Sequence, residues 1–92
     1  MKQVVVFTMD GCPHCHEFKK VLSENNVEYF NRDIHEHQEE YQLFQKVKND
    51  LVPAFMIVDD EDTSKSELFA PDQDYQTLEE ALNIIKQKIW KN

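Results

Sequence analysis

Cys12-Pro13-His14-Cys15 holds the only two cysteines of the chain, three positions apart, where a strand pattern gives way to a helical one. Thiols so close in sequence do little to staple a fold, because a disulfide stabilises mainly by closing a long loop in the unfolded chain. The spacing suits redox chemistry instead. Upstream, Val4-Val5-Val6-Phe7 is a short apolar run suited to a strand buried on both faces, and downstream Phe18, Val21 and Leu22 recur at helical spacing. Cys12 then falls near a helix N-cap. Gly11 allows a tight turn before it, and Pro13 suits the first helical position, where its fixed φ helps and its missing N–H costs nothing. A sulfur placed there faces unpaired backbone N–H groups and the positive end of the helix dipole, both of which favour thiolate over thiol. Cys12 is the expected nucleophile. Cys15, one turn on and facing inward, is the thiol expected to resolve a mixed disulfide. The alternatives are a zinc site or two inert thiols. Structural zinc usually takes four ligands, and only His14, His16, His35 and His37 could complete the set, at no recognised ligand spacing.

The elements that must position this dithiol can be read from periodicity. A strand is expected over residues 3–7, a helix from Pro13 to about Glu24 stopped by Asn25-Asn26, and a second strand over 27–31. A second helix falls within 35–48, with Tyr41, Leu43, Phe44 and Val47 as its apolar face. A third strand is expected over 54–58, a polar turn over 59–65 and a fourth strand over 66–70. Leu78, Leu82, Ile85 and Ile89 mark the buried stripe of a closing helix. Strands one and two, joined through a helix, should be parallel, and strands three and four should form a hairpin. The acidic turn at 59–62 lacks the spacing and glycine of a calcium loop and reads as solvated. The run 35–40, rich in histidine and glutamate, reads as an exposed first turn of the second helix, where the dipole favours carboxylates.

Ninety-two residues suffice for one domain, expected over 1–92, with a single modest core. Eighteen acidic against ten basic residues give a net charge of −8, which argues against a nucleic-acid-binding surface. No stretch has the pattern of a signal peptide or the length of a membrane span. A cytosolic location is therefore expected, and in that reducing compartment a CxxC pair beside a βαβ pattern reads as catalytic rather than as a standing disulfide. Trp90 and the acidic surface offer no association patch, so a monomer is expected.

With its element order, length and two separated motifs, the chain resembles the glutaredoxin branch of the thioredoxin superfamily. One motif is the stretch from Phe7 through Cys15, similar to the family's strand, short loop and dithiol; the other is Leu51-Val52-Pro53, similar to its threonine-valine-proline. The resemblance implies a thioredoxin-like α/β fold of order β-α-β-α-β-β-α, with a four-stranded mixed sheet covered by helices on both faces. It implies a thiol–disulfide oxidoreductase acting on protein or glutathione mixed disulfides, with glutathione as co-substrate and no metal or tightly bound cofactor. It also implies a cis Pro53 facing the dithiol, a Val52 backbone able to pair with an extended peptide, and substrate contacts from Thr8, Val52, Pro53 and Asp72.

Three positions depart from the family pattern. Met9 stands where a lysine commonly holds a glutathione carboxylate, and Ala70-Pro71-Asp72 stands where Gly-Gly commonly holds the γ-glutamyl end. His14 replaces the usual tyrosine, as in periplasmic oxidants of the DsbA type. A histidine cation beside Cys12 would favour the thiolate and raise the reduction potential to or above the glutaredoxin range, about −200 to −230 mV. The first two departures favour thioredoxin reductase as the electron donor, whereas the CPxC motif and the length favour glutathione. Two further alternatives are an iron–sulfur protein, which Pro13 disfavours by family precedent, and a noncatalytic thioredoxin-like adapter.

Overall fold

The computed structural model describes residues 2–49, 51–59, 61 and 66–89. Seven elements follow one another: β1 (Lys2–Thr8), α1 (Pro13–Glu24), β2 (Phe30–Asp33), α2 (Gln38–Val47), β3 (Ala54–Asp59), β4 (Glu67–Phe69) and α3 (Leu78–Ile89). The strands form one mixed sheet in the order β2-β1-β3-β4. As the sequence predicts, β1 and β2 are parallel and β3 and β4 antiparallel; β1 and β3 are also antiparallel.

Alternation along the strands divides the core in two. Val4 and Val6 of β1 and Phe55 and Ile57 of β3 point to one face, where they meet Phe18 and Leu22 of α1 and Ile85 of α3. Phe7 and Ala54 point to the other, against Tyr41 and Phe44 of α2. Both faces are therefore covered, which explains why β1 reads as a continuous apolar run. Each large side chain so buried contributes about 1.5–3 kcal/mol relative to exposure. Among the described residues no helix is long and apolar enough to cross a membrane.

Helix α1 stops where Asn25-Asn26 predicts, and for an identifiable reason. Asn26 adopts φ 59°, its N–H donates to the Ser23 carbonyl, and the Val27 N–H donates to that of Leu22. This double bond pattern satisfies the orphan carbonyls of the last turn, and asparagine tolerates the left-handed conformation it needs. The same cap corrects the expectation for β2. Val27 is not strand but the buried residue that packs behind the helix end, so pairing with β1 begins three residues later, at Val5 opposite Phe30.

Helix α2 is also shorter than expected, beginning at Gln38. Asp33 accounts for the delay: its carbonyl accepts from the N–H groups of Glu36 and His37, and its carboxylate accepts from that of His35. These bonds hold 34–36 in a turn, so His35 and Glu36 precede the helix, and Glu39 and Glu40 supply its acidic first turn. Only part of the expected apolar face is buried. Leu43 and Val47 remain 66% and 65% exposed, beside an apolar groove that they share with Phe7, Met56 and Leu68. At the closing helix Leu82 and Ile85 are buried with Ala81, while Leu78 and Ile89 lie half-buried at the ends. Most of the expected acidic turn, and Trp90, lie outside the described residues.

Candidate active site

The dithiol sits at the start of α1. Gly11, at φ 78°, takes the chain through a turn that L side chains rarely adopt. The Cys12 N–H then donates to the Met9 carbonyl at 3.3 Å. Cys12 is the N-cap, extended at φ −93° and ψ 107°, and Pro13 occupies the first helical turn. The Cys12 sulfur accepts a hydrogen bond from the Cys15 N–H at 3.2 Å. It thus does what a serine or aspartate oxygen does at other helix starts, with the difference that this acceptor is a sulfur. Cys12 is half-buried, whereas Cys15 is 1% exposed.

The two thiols therefore live in different environments. The Cys15 thiol is pushed up to about 12, chiefly by burial and then by the neighbouring Cys12 sulfur through hydrogen bonding and charge. A backbone hydrogen bond from Met9 and the charge of Lys19 act in the opposite direction and are outweighed. Covalent capture of Cys12 would remove its opposition to Cys15 ionisation. Such a pair can act in sequence, the accessible sulfur first and the buried one second.

A groove of about 570 Å³ runs beside the helix start, with His14 and Glu17 of α1 on one side, Val52 and Pro53 on another, and the turn after β4 on a third. Its placement brings together His14, Val52, Pro53 and Asp72 of the expected set. The Val52–Pro53 peptide is cis, as the resemblance implies. Thr8 is not brought there. Because β1 extends to Thr8, the side chain lies 3% exposed at the strand end, and its hydroxyl donates to Asn31 Oδ1 at 2.6 Å.

The turn after β4 is fixed by its own polar groups. Asp74 accepts from the Ala70 N–H at 2.8 Å and pairs with Lys48 at 3.1 Å. Asn49 Nδ2 donates to the Pro71 carbonyl at 2.9 Å, and the Asp72 N–H donates to that of Tyr75, also at 2.9 Å. Asp72 reaches φ 70°, a left-handed conformation that aspartate adopts more readily than most residues. Tyr75 is the residue that sequence reasoning missed. It is buried against Phe55, and its hydroxyl donates to the Pro53 carbonyl. Burial raises its ionisation well above the ordinary tyrosine value, as do the charges of Cys15 and Asp74. No periodic or motif signal marks it; it is found only through its partner 22 residues upstream.

Among the described residues, no three histidine, cysteine, aspartate or glutamate side chains are grouped to hold a metal ion. No curated protein matches the chain. The glutaredoxin family model matches residues 4–61, a span that includes both cysteines and Pro53 and ends before the turn that carries Asp72 and Tyr75.

Proposed function

The chain belongs to the glutaredoxin family, with a thiol-redox function of the thioredoxin superfamily, and from that premise we propose that it reduces disulfides through Cys12 and Cys15. The observation that carries this reading is the asymmetry of the pair: Cys12 half-exposed at the N-cap of α1, Cys15 buried beneath it with its ionisation pushed up. The Cys12 thiolate attacks one sulfur of the substrate disulfide, and the other leaves as a thiolate that takes up a proton. Cys15 then loses its proton and attacks the Cys12 sulfur, releasing the second substrate thiol and leaving a Cys12–Cys15 disulfide. One disulfide has been reduced, and two electrons have come from the protein. Pro13 sets the start of the helix, His14 stands on the groove wall two residues after Cys12, and Val52, Pro53 and Asp72 line the path of the incoming chain.

Glutathione is the electron donor on the first reading: two molecules would reduce Cys12–Cys15 and leave as glutathione disulfide. A second reading, with thioredoxin reductase as donor, is favoured by Met9 and Pro71, which replace the family's glutathione contacts, and by a groove wall on which the described residues include no lysine or arginine. The test is oxidation of NADPH with a small glutathione mixed disulfide as substrate, supplying either glutathione with glutathione reductase or thioredoxin reductase alone. Turnover in the first arm that disappears in Cys12→Ser supports the glutathione reading. Turnover only in the second supports its rival, and turnover in neither, with Cys12 unable to form any mixed disulfide, sinks the exchange mechanism.

A further inference from the structure

Exchange chemistry needs a nucleophile and a wall, but it does not need the charge that this groove carries. Glu17 of α1 and Asp72 of the turn after β4 both line it and are both exposed, and they come from different elements. Among the described residues no lysine or arginine joins them. Lys48, at the base of the turn, is paired with Asp74, and Lys19, whose charge reaches Cys15, does not line the groove. Among the described lining residues, His14 is the one side chain able to carry positive charge. Between the carboxylates the wall is apolar or uncharged, with Leu51, Val52, Pro53 and Leu78 along it.

Resting on the exchange reading above, we propose that this groove selects its oxidised substrate by charge: a disulfide in an extended polypeptide whose cysteine is flanked by basic residues. A disulfide flanked by carboxylates brings like charges to Glu17 and Asp72 and is disfavoured. The chemistry is unchanged: Cys12 bonds to the polypeptide sulfur, the other sulfur leaves as a thiolate and is protonated, and Cys15 frees the polypeptide thiol. Rim charges of this kind act mainly on encounter and orientation, and they weaken as salt rises.

The test uses three synthetic peptides of one sequence, each with a single cysteine disulfide-bonded to 2-mercaptoethanol, and with lysine, serine or glutamate on both sides of that cysteine. Single-turnover reduction by the reduced protein should be about tenfold faster for the lysine peptide than for the glutamate peptide at low salt. The ratio should fall towards one in high salt and in the Glu17→Gln/Asp72→Asn variant, in which asparagine keeps the left-handed conformation of position 72 accessible. Equal rates for all three peptides, or a preference that survives in the double variant, would overturn the charge selection while leaving the exchange reading intact. Failure of the serine peptide to be reduced at all would instead count against exchange itself.

Discussion

The hydroxyl of Tyr75 donates to the carbonyl of Pro53, so the turn after β4 and the segment that enters β3 are tied together under the groove. Both partners are buried. Tyr75→Phe keeps the ring against Phe55 but leaves a buried carbonyl without its donor, a loss of about 1–3 kcal/mol. Urea denaturation should show a lower midpoint at unchanged slope. If the bond also positions the groove wall, KM for a disulfide substrate should rise by a larger factor than kcat falls. An unchanged KM would confine Tyr75 to a core role.

The two cysteines should fail in different ways. Cys12→Ser removes the accessible sulfur and should abolish exchange altogether. Cys15→Ser keeps the attack but not the resolution, so the mixed disulfide of Cys12 with a peptide substrate should accumulate and appear by mass spectrometry at one substrate per protein. A trapped species on Cys15 in the Cys12→Ser protein would reverse the assigned roles.

Alkaline pH should destabilise the fold. Cys15 and Tyr75 ordinarily ionise at 9.0 and 10.0, and in the folded protein both are raised, Cys15 to about 12. A raised acid holds its proton more tightly folded than unfolded. Stability is thus unaffected below about pH 9 and declines as pH climbs towards 12, because the unfolded chain releases protons that the native one retains. The urea midpoint should fall over that window, with a shallower fall in Cys15→Ala. Equal slopes in the two proteins would show that Cys15 does not contribute.

His14 is exposed on the groove wall, two residues after Cys12. Replacing it with tyrosine should lower the reduction potential from a wild-type value at or above about −200 to −230 mV. Equilibration in glutathione redox buffers followed by thiol alkylation measures both. A wild-type value below about −270 mV, the thioredoxin figure, would remove histidine tuning from the account.

On α2, neighbouring apolar residues should respond very differently. Phe44 is 2% exposed and packs on Phe7 at a centroid distance of 5.4 Å. Phe44→Ala should therefore cost about 3–5 kcal/mol. Leu43→Lys should change stability by no more than about 0.5 kcal/mol, since that side chain is already in solvent. Thermal unfolding of the two variants separates them.

The sequence alone determined those features that depend on local physics. A strand buried on both faces must be apolar throughout, a helix start wants glycine, a capping side chain and then proline, and a helix end accepts asparagine in the left-handed region. For these reasons Val4–Phe7, Gly11 to Cys15 and Asn25-Asn26 could be placed from residue type and spacing. The tertiary structure decided what depends on partners far away in the chain. Strand β2 begins at Phe30 because only there does the chain, released from its cap at Val27, come into register with β1. Helix α2 offers more apolar surface than its side of the sheet covers, so Tyr41 and Phe44 were taken in and Leu43 and Val47 left out. Thr8 was spent on Asn31, and Tyr75 was brought to Pro53, by strand parity and chain return. A hydrogen bond or a shared groove wall between residues more than twenty positions apart leaves no periodic trace, because nothing in either local segment requires the other.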